Sequence, residues 1–275
     1  MRLAIVNRTE LERRIGVGKT ATLAQRERFM GDFGRALSHW KTDGTRVTDS
    51  DLAISASMFA ALSTEFPGDQ FFSEESAQVS GPVARTAEWS WMLDPIDGTN
   101  NFALGVPMTA ISLALLHDGV PAYGFVYDFG RRALLHGGSG MGVHEDDRPL
   151  ANGFGRSGVD KVVAVHTPLD DRHIPGLLAI VSRYKLRAFG SGALHLAYAS
   201  LGMIDACLDF TVRVWDIAAA AAFCGETGAE MHFFNGSPFP LQQFDLKMTP
   251  TRYLAGSPHA CAEILAAFKA AGWEP

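Results

Sequence analysis

No stretch of this sequence approaches the roughly 20 consecutive apolar residues of a membrane-spanning helix, so a membrane protein is not expected. The first residues, MRLAIVNRTE, hold only a four-residue apolar run, too short for the core of a secretory signal, which points to a cytoplasmic protein. Cysteine is scarce. Cys207, Cys224 and Cys261 are odd in number and widely spaced, with no Cys-x-x-Cys pair of the kind that holds zinc. Buried, unpaired thiols are the plain expectation. Basic charge is not in excess either: 24 lysines and arginines against 30 acidic residues give a net charge of −6. That balance argues against nucleic acid as the main partner. A P-loop, a Gly-x-Ser-x-Gly elbow and a His-Glu-x-x-His pair are all missing, so those chemistries lose their usual signatures. Internal repeats and low-complexity tracts are absent as well.

What is present fits an ordinary globular chain. The length of 275 residues suits one large or two modest domains, and 47% hydrophobic residues suffice for a sizeable core. Apolar spacing predicts helices over Thr22–Trp40 and Leu52–Phe66, the second stopped by Pro67-Gly68. QFFSEES reads as a strand entering an acidic loop, and EWSWMLDPIDG as a strand ending in a tight turn. Further strands are expected over Ala110–Leu116, Ala122–Phe129, Arg131–His136 and Met141–His144. A loop rich in Gly and Pro, Asp146–Gly158, suggests a boundary between domains at 1–150 and 151–275. Beyond it, strand and helix alternate: Lys161–Val165, Ile174–Tyr184, Lys185–Phe189, Ala193–Leu201, Ile204–Phe210 and Ile217–Glu226. Such alternation points to an α/β layer, and Ala260–Ala270 closes the chain as an amphipathic helix.

The residues that could carry chemistry are carboxylates at strand and helix ends. Asp94-Pro95-Ile96-Asp97-Gly98-Thr99 follows the buried run Trp91–Leu93. Pro95 stiffens the turn and Gly98 permits a backbone conformation that other residues avoid. Two carboxylates, the Ile96 carbonyl and the Thr99 hydroxyl would then share a small volume. Oxygen-only ligands of this kind suit Mg²⁺ or Mn²⁺, and two like charges are costly there without a cation. Glu74-Glu75 leaves another strand; taken alone it could be a solvated acidic pair. Asp216 opens a helix, as an N-cap or as a third carboxylate arm. Thr48 and Asp51 could form a helix cap, or Asp51 could hold a further metal.

Together these residues converge on a known pattern. SEES, WMLDPIDGTNNF and GSGALHLAYASLGMIDACLDFTVRVWDIAAAAAFCGETGAEM resemble the inositol monophosphatase family, part of the lithium-sensitive, metal-dependent phosphatases that include fructose-1,6-bisphosphatase. The resemblance runs from about Lys41 to Ser257. It implies an α+β fold, the layered α-β-α-β-α sandwich, commonly as a homodimer. It implies two or three Mg²⁺ ions, with Mn²⁺ as a substitute, held by Glu74, Asp94, the Ile96 carbonyl, Asp97, Asp216 and Asp51. Glu74 and Thr99 match the pair that orients the attacking water, so Glu74, Thr99 and Asp97 are the implied catalytic residues.

The same resemblance implies that the amides of Gly98 and Thr99 cradle phosphate. Gly190, Ser191 and Ala193 match part of the substrate rim, Asp209 matches an acidic residue that binds a substrate hydroxyl, and Lys41 a basic residue near the third metal. Three residues depart from the pattern or stand apart from it. Ser73 stands where glycine is usual, Asn100 sits at a variable position, and Arg213 is expected on the rim as a feature of this protein's own substrate. His195 reads as a helix-face residue rather than a base. The implied reaction is hydrolysis of a small phosphorylated polyol by water activated on the cations, with inositol monophosphate leading. Histidinol phosphate, a sugar bisphosphate and, more weakly, a 3′-phosphonucleotide are the alternatives. A non-catalytic binding protein on the same fold is the alternative from another class.

Overall fold

The computed structural model describes residues 7–41, 46–76, 81–151, 154 and 161–275. The chain begins with α1 (Arg8–Leu23) and α2 (Arg26–Asp32), followed by the antiparallel pair β1 (Ser38–Trp40) and β2 (Arg46–Thr48) and by α3 (Asp49–Glu65). Next come β3 (Gln70–Ser73), β4 (Val83–Ala84), β5 (Trp89–Asp97) and α4 (Thr99–Leu104). An antiparallel run follows: β6 (Ala110–His117), β7 (Val120–Asp128), β8 (Ala133–Gly137), β9 (Val143–Glu145) and β10 (Arg148–Leu150). The rest is β11 (Val162–Val165), a 3₁₀ turn at Asp171–His173, α5 (Ile174–Val181), β12 (Lys185–Arg187), α6 (Gly192–Ser200), β13 (Ala206–Val212) and α7 (Val214–Thr227), then β14 (Glu230–Phe233), β15 (Gln243–Phe244), β16 (Thr251–Gly256) and α8 (Pro258–Ala270).

Two sheets organise these elements. The seven-stranded sheet has the order β10-β9-β8-β7-β6-β5-β3, and the five-stranded sheet the order β12-β11-β13-β16-β14. The alternation of side chains along each strand explains the layering. Trp91 and Leu93 of β5 face one way, into a core with Leu11, Ile54, Met58 and Leu62 of α1 and α3. Met92 faces the other way, into a core with Leu194, Ala197, Ala218 and Phe223 of α6 and α7. Ala164 and Cys207 close that second core from the five-stranded sheet. On the far side of that sheet, Val163, Val165 and Leu208 pack on Ile180 of α5 and Ile264 of α8. The result is the α-β-α-β-α sandwich that the sequence resemblance implied. Because helices cover both faces of β5, all nine of its residues are buried.

The seven-stranded sheet is built from residues 70–150 and the five-stranded sheet from residues 162–256. Of the expected boundary loop, Asp146–Gly158, the described residues are 146–151 and 154, and three of them form a strand, β10, rather than a loop; the rest of it and positions 42–45 before α3 lie outside the described residues. The central core crosses from one sheet to the other, with Phe72 and Trp215 in the same cluster.

The N-terminal region departs from expectation. The helix expected over Thr22–Trp40 does not exist as one element: α1 ends at Leu23, α2 ends at Asp32, and Ser38–Trp40 is a strand. The unanticipated α1 buries Leu11, Arg14, Gly18, Ala21 and Thr22, a face too small and polar to register as an apolar stripe. Gly18 is required by contact, because a Cβ there would lie 2.9 Å from the Phe125 ring and 3.0 Å from that of Trp91. No described helix is long and apolar enough to cross a membrane.

Candidate active site

Asp94 and Asp97 are three apart, and on a regular strand residues of odd separation face opposite sides of the sheet. The register of β5 against β6 resolves this. Asp94 pairs with Ser112 and Asp97 with Ala110, so β5 carries one extra residue across the Pro95-Ile96 step. That bulge turns both carboxylates to one side, while Ile96 stays in the apolar core. Asp216 arrives on α7 from the opposite layer. Carboxylate oxygens of Asp94, Asp97 and Asp216 all lie within 4.8 Å of one another.

Burial sets the charge state of this trio. It pushes Asp94 and Asp216 well above the ordinary carboxylate range, and the neighbouring acids, Glu74 and Asp97 among them, push further in the same direction. Burial raises Asp97 as well, to about 6, against hydrogen bonds from Ser191 and Ala193 that favour its ionised form. Two buried acids and the half-buried Asp216 crowded together are unstable as three anions without a cation. Their donor set is oxygen only, which fits Mg²⁺ and excludes the thiolate and imidazole chemistry of a zinc site.

The surrounding residues hold these acids in place. The Asp97 carboxylate accepts from the amides of Gly192 and Ala193, both at 3.1 Å, and from the Ser191 hydroxyl, so it sits on the N-terminus of α6. Its carbonyl accepts from Thr109 Oγ1 at 2.7 Å. Ser191 and Ala193, expected on the substrate rim, therefore anchor Asp97 instead, and both are fully buried. Asp216 is the third residue of α7 rather than its cap. The cap is Arg213, whose N–H donates to Asp216 Oδ2 at 2.7 Å while its guanidinium donates to the Met248 carbonyl. Asp94 Oδ1 accepts from the Ile96 amide at 3.1 Å, and the Thr99 hydroxyl donates to the Ile96 carbonyl at 2.9 Å.

Gly98 caps α4 in the left-handed region at φ 80°, and a Cβ there would meet the Met108 carbonyl at 2.9 Å and that of Gly190 at 3.0 Å. Lys41 Nζ donates to Glu74 Oε1 at 2.9 Å and also bonds Glu75. Burial alone would lower the Lys41 pKa, but the two glutamates raise it above its ordinary value. Asp51 forms the capping box of α3, its Oδ2 accepting from the Thr48 amide at 2.7 Å and from the Thr48 hydroxyl. Burial lifts Asp51 to about 7, with Glu75 and Glu74 adding to the rise and the Thr48 bonds opposing it.

A cleft of about 510 Å³ opens over these groups, bordered by Lys41, Glu74, Asp97, Gly98, Gly190, Arg213 and Asp216. A larger cavity of about 850 Å³ lies elsewhere, between the Ser139–Met141 turn and the end of α7, and holds none of the acidic trio. Asp209 does not border the cleft among the described residues. It is fully buried, and its oxygens accept from the His166 amide at 2.7 Å, from His195 Nδ1 at 3.1 Å and from the Tyr253 hydroxyl at 3.1 Å. Burial would raise its pKa, but the His195 ring beside it holds the carboxyl below its ordinary range. His195 is fully buried on α6 and accepts from the Phe189 amide at 3.1 Å through Nε2, as a structural histidine does. His166, Trp40 and Leu246 also line the cleft and were not anticipated. His166 had one legible signal: it directly follows a predicted strand, and ligands of α/β sheets gather at such carboxyl ends.

This geometry agrees with what the chain is similar to. The model of the inositol monophosphatase family matches residues 8–270. The protein belongs to the inositol monophosphatase family. A probable inositol 1-monophosphatase from Mycobacterium tuberculosis is 33% identical over 237 residues, covering 79% of this chain and 80% of the relative. Nus factor SuhB of Pasteurella multocida is 29% identical over 231 residues, covering 82% and 83%. Among solved structures, the extragenic suppressor protein suhB of Bartonella henselae superposes with a TM-score of 0.79 at 26% identity, covering 93% of this chain and 98% of its own. The family is one of Mg²⁺-dependent phosphatases, and the chain is a phosphoric monoester hydrolase.

Proposed function

We propose that this enzyme hydrolyses the phosphate monoester of a small polyol, inositol monophosphate first among them, with Asp94, Asp97, Asp216, Glu74 and the Ile96 carbonyl as its metal ligands. The observation that carries the reading is the trio of carboxylates, two buried and one half-buried, gathered by the β5 bulge and the start of α7. Mg²⁺ bound by these oxygens would neutralise the phosphoryl oxygens and lower the pKa of water.

The chain's own residues do the rest. Asp97, pinned by three donors of α6, presents a fixed carboxylate edge. Glu74 and Thr99 lie beside the same cleft and aim the attacking water. The Thr99 hydroxyl is held by the Ile96 carbonyl and so keeps a defined direction. Amides in the first turn of α4 have no partner within the helix and face anionic ligands favourably. Lys41 is the cation that binds Glu74 and Glu75 in this structure, and metal binding at Glu74 would compete with it. The capping bonds of Asp51 occupy Oδ2, so Oδ1 is the oxygen that would support a third ion.

The deciding experiment is phosphate release from a panel of monoesters and bisphosphates with Mg²⁺, with EDTA and with added Li⁺. Mg²⁺-dependent, Li⁺-sensitive release led by inositol 1-phosphate is expected. Release led by histidinol phosphate or fructose 1,6-bisphosphate would keep the metal chemistry and change the substrate. No release from any ester would reject the reading.

A further inference from the structure

Besides the acidic trio, Trp40, His166, Pro168 and Leu246 line the cleft. His166 follows β11 directly. Its backbone is fixed by the bond from its amide to Asp209 Oδ1 at 2.7 Å. Its ring stands edge-on to the buried His195 ring, with centroids 6.0 Å apart. Nδ1 of that ring is buried and has no hydrogen-bond partner among the described residues. Burial lowers the pKa of His166 and His195 adds to this, with Asp209 opposing, so the ring is neutral near pH 7. A neutral imidazole offers one N–H donor and one lone pair, which matches an alcohol, itself both donor and acceptor.

Asp209 cannot serve the same purpose where it lies. Both of its oxygens are occupied by buried donors, and no part of the residue is exposed. We infer that His166 is the specificity-determining residue of this cleft, hydrogen-bonding a hydroxyl of the substrate's leaving group, and that Asp209 is a positioning residue acting through it. The inference rests on the phosphatase reading above and names the residue by which that site would recognise a further hydroxyl of the leaving alcohol. Nδ1 is closed to the cleft, so Nε2, which has no hydrogen-bond partner among the described residues and is not among the buried unpaired atoms, is the ring nitrogen open to a substrate hydroxyl. Trp40, Pro168 and Leu246 supply apolar surface in the same cleft for the C–H face of such an alcohol.

The test compares two substrates of one carbon skeleton, glycerol 2-phosphate and isopropyl phosphate, with the full chain and Mg²⁺. The first leaving group carries two extra hydroxyls and the second carries none. Loss of one such bond is worth about tenfold. The His166→Ala variant is expected to lose about that factor in kcat/KM on glycerol 2-phosphate, chiefly through KM, and to keep isopropyl phosphate turnover within about twofold. The His166→Gln variant, which retains a donor and an acceptor, is expected to recover part of the loss. It also serves as the second probe if the alanine variant does not fold. Equal losses on both esters, or no loss on either, would overturn the inference while leaving the phosphatase reading intact. Inactivity of the unmodified enzyme on both esters and on the wider panel would overturn both.

Discussion

Asp97 receives three hydrogen bonds from the start of α6, and no neighbouring carboxylate is held in the same way. An Asp97→Asn substitution keeps the shape but removes a charge and turns an NH₂ toward amide donors. Activity is expected to fall by ~10²-fold or more, the scale of losing one electrostatic contact at a reacting centre. The fold should survive, as a circular dichroism melt would show; full activity in a folded variant would remove Asp97 from the site. Gly98→Ala tests the turn itself. With φ at 80° and carbonyls within 3.0 Å of the new Cβ, it should cost about 1–3 kcal/mol in denaturant unfolding, and phosphate release should fall with it. At this scale the acids were legible as a set, because chemistry fixes which residue types can hold a hard cation. The different fates of Ser191, Ala193 and Asp209 were not, since each depends on which neighbour the side chain or amide meets.

Elements show where local pattern stops informing. Strand β5 was readable from its apolar run, but its bulge follows from the pairing with β6 and is visible only in the register. Helix α1 went unread because its inward face uses a charge. Arg14 is buried and forks onto Asp69 at 2.7 and 2.9 Å, and Asp69 also accepts from the Trp91 indole at 2.9 Å. Arg14→Ala would leave Asp69 buried with an unmatched charge. The expected loss is about 3–5 kcal/mol, against which a change below ~1 kcal/mol in chemical denaturation would show the pair to be idle. The packing of β7 on α7 offers a second check: a Cβ on Gly124 would stand 1.9 Å from the Ala219 carbonyl. Gly124→Ala must therefore move a strand or a helix. A clear drop in melting temperature is expected, with phosphate release falling because α7 carries Asp216.

For the whole molecule, stability and metal binding are linked through the same carboxylates. Asp97 is raised to about 6 and Asp51 to about 7 from an ordinary 3.8, and Asp94 and Asp216 are raised too. The metal-free fold then holds more protons than the unfolded chain across that interval, so these groups favour folding below pH 4 and lose that contribution as pH rises through 6 to 7. In EDTA the melting temperature should decline between pH 5 and pH 8. Mg²⁺ competes with those protons, so its stabilising increment should be larger at pH 8 than at pH 5. Scanning fluorimetry over both series reads this directly, and an increment that shrinks with rising pH would contradict the assignment of these acids as ligands.

By itself the sequence determined the family, the layered fold and the carboxylates available to bind a cation, since these rest on residue types and short spacings that the chain carries locally. It also placed Gly98 at a turn that a larger residue would strain. Tertiary structure decided which candidates meet. Asp216 reaches Asp94 and Asp97 because α7 packs against the bulged end of β5. Asp209 is turned inward because His195, Tyr253 and the His166 amide supply donors from three other segments. A buried polar group must find its partners wherever the fold provides them, and those partners lie 14 to 44 positions away along the chain, beyond the reach of any local pattern.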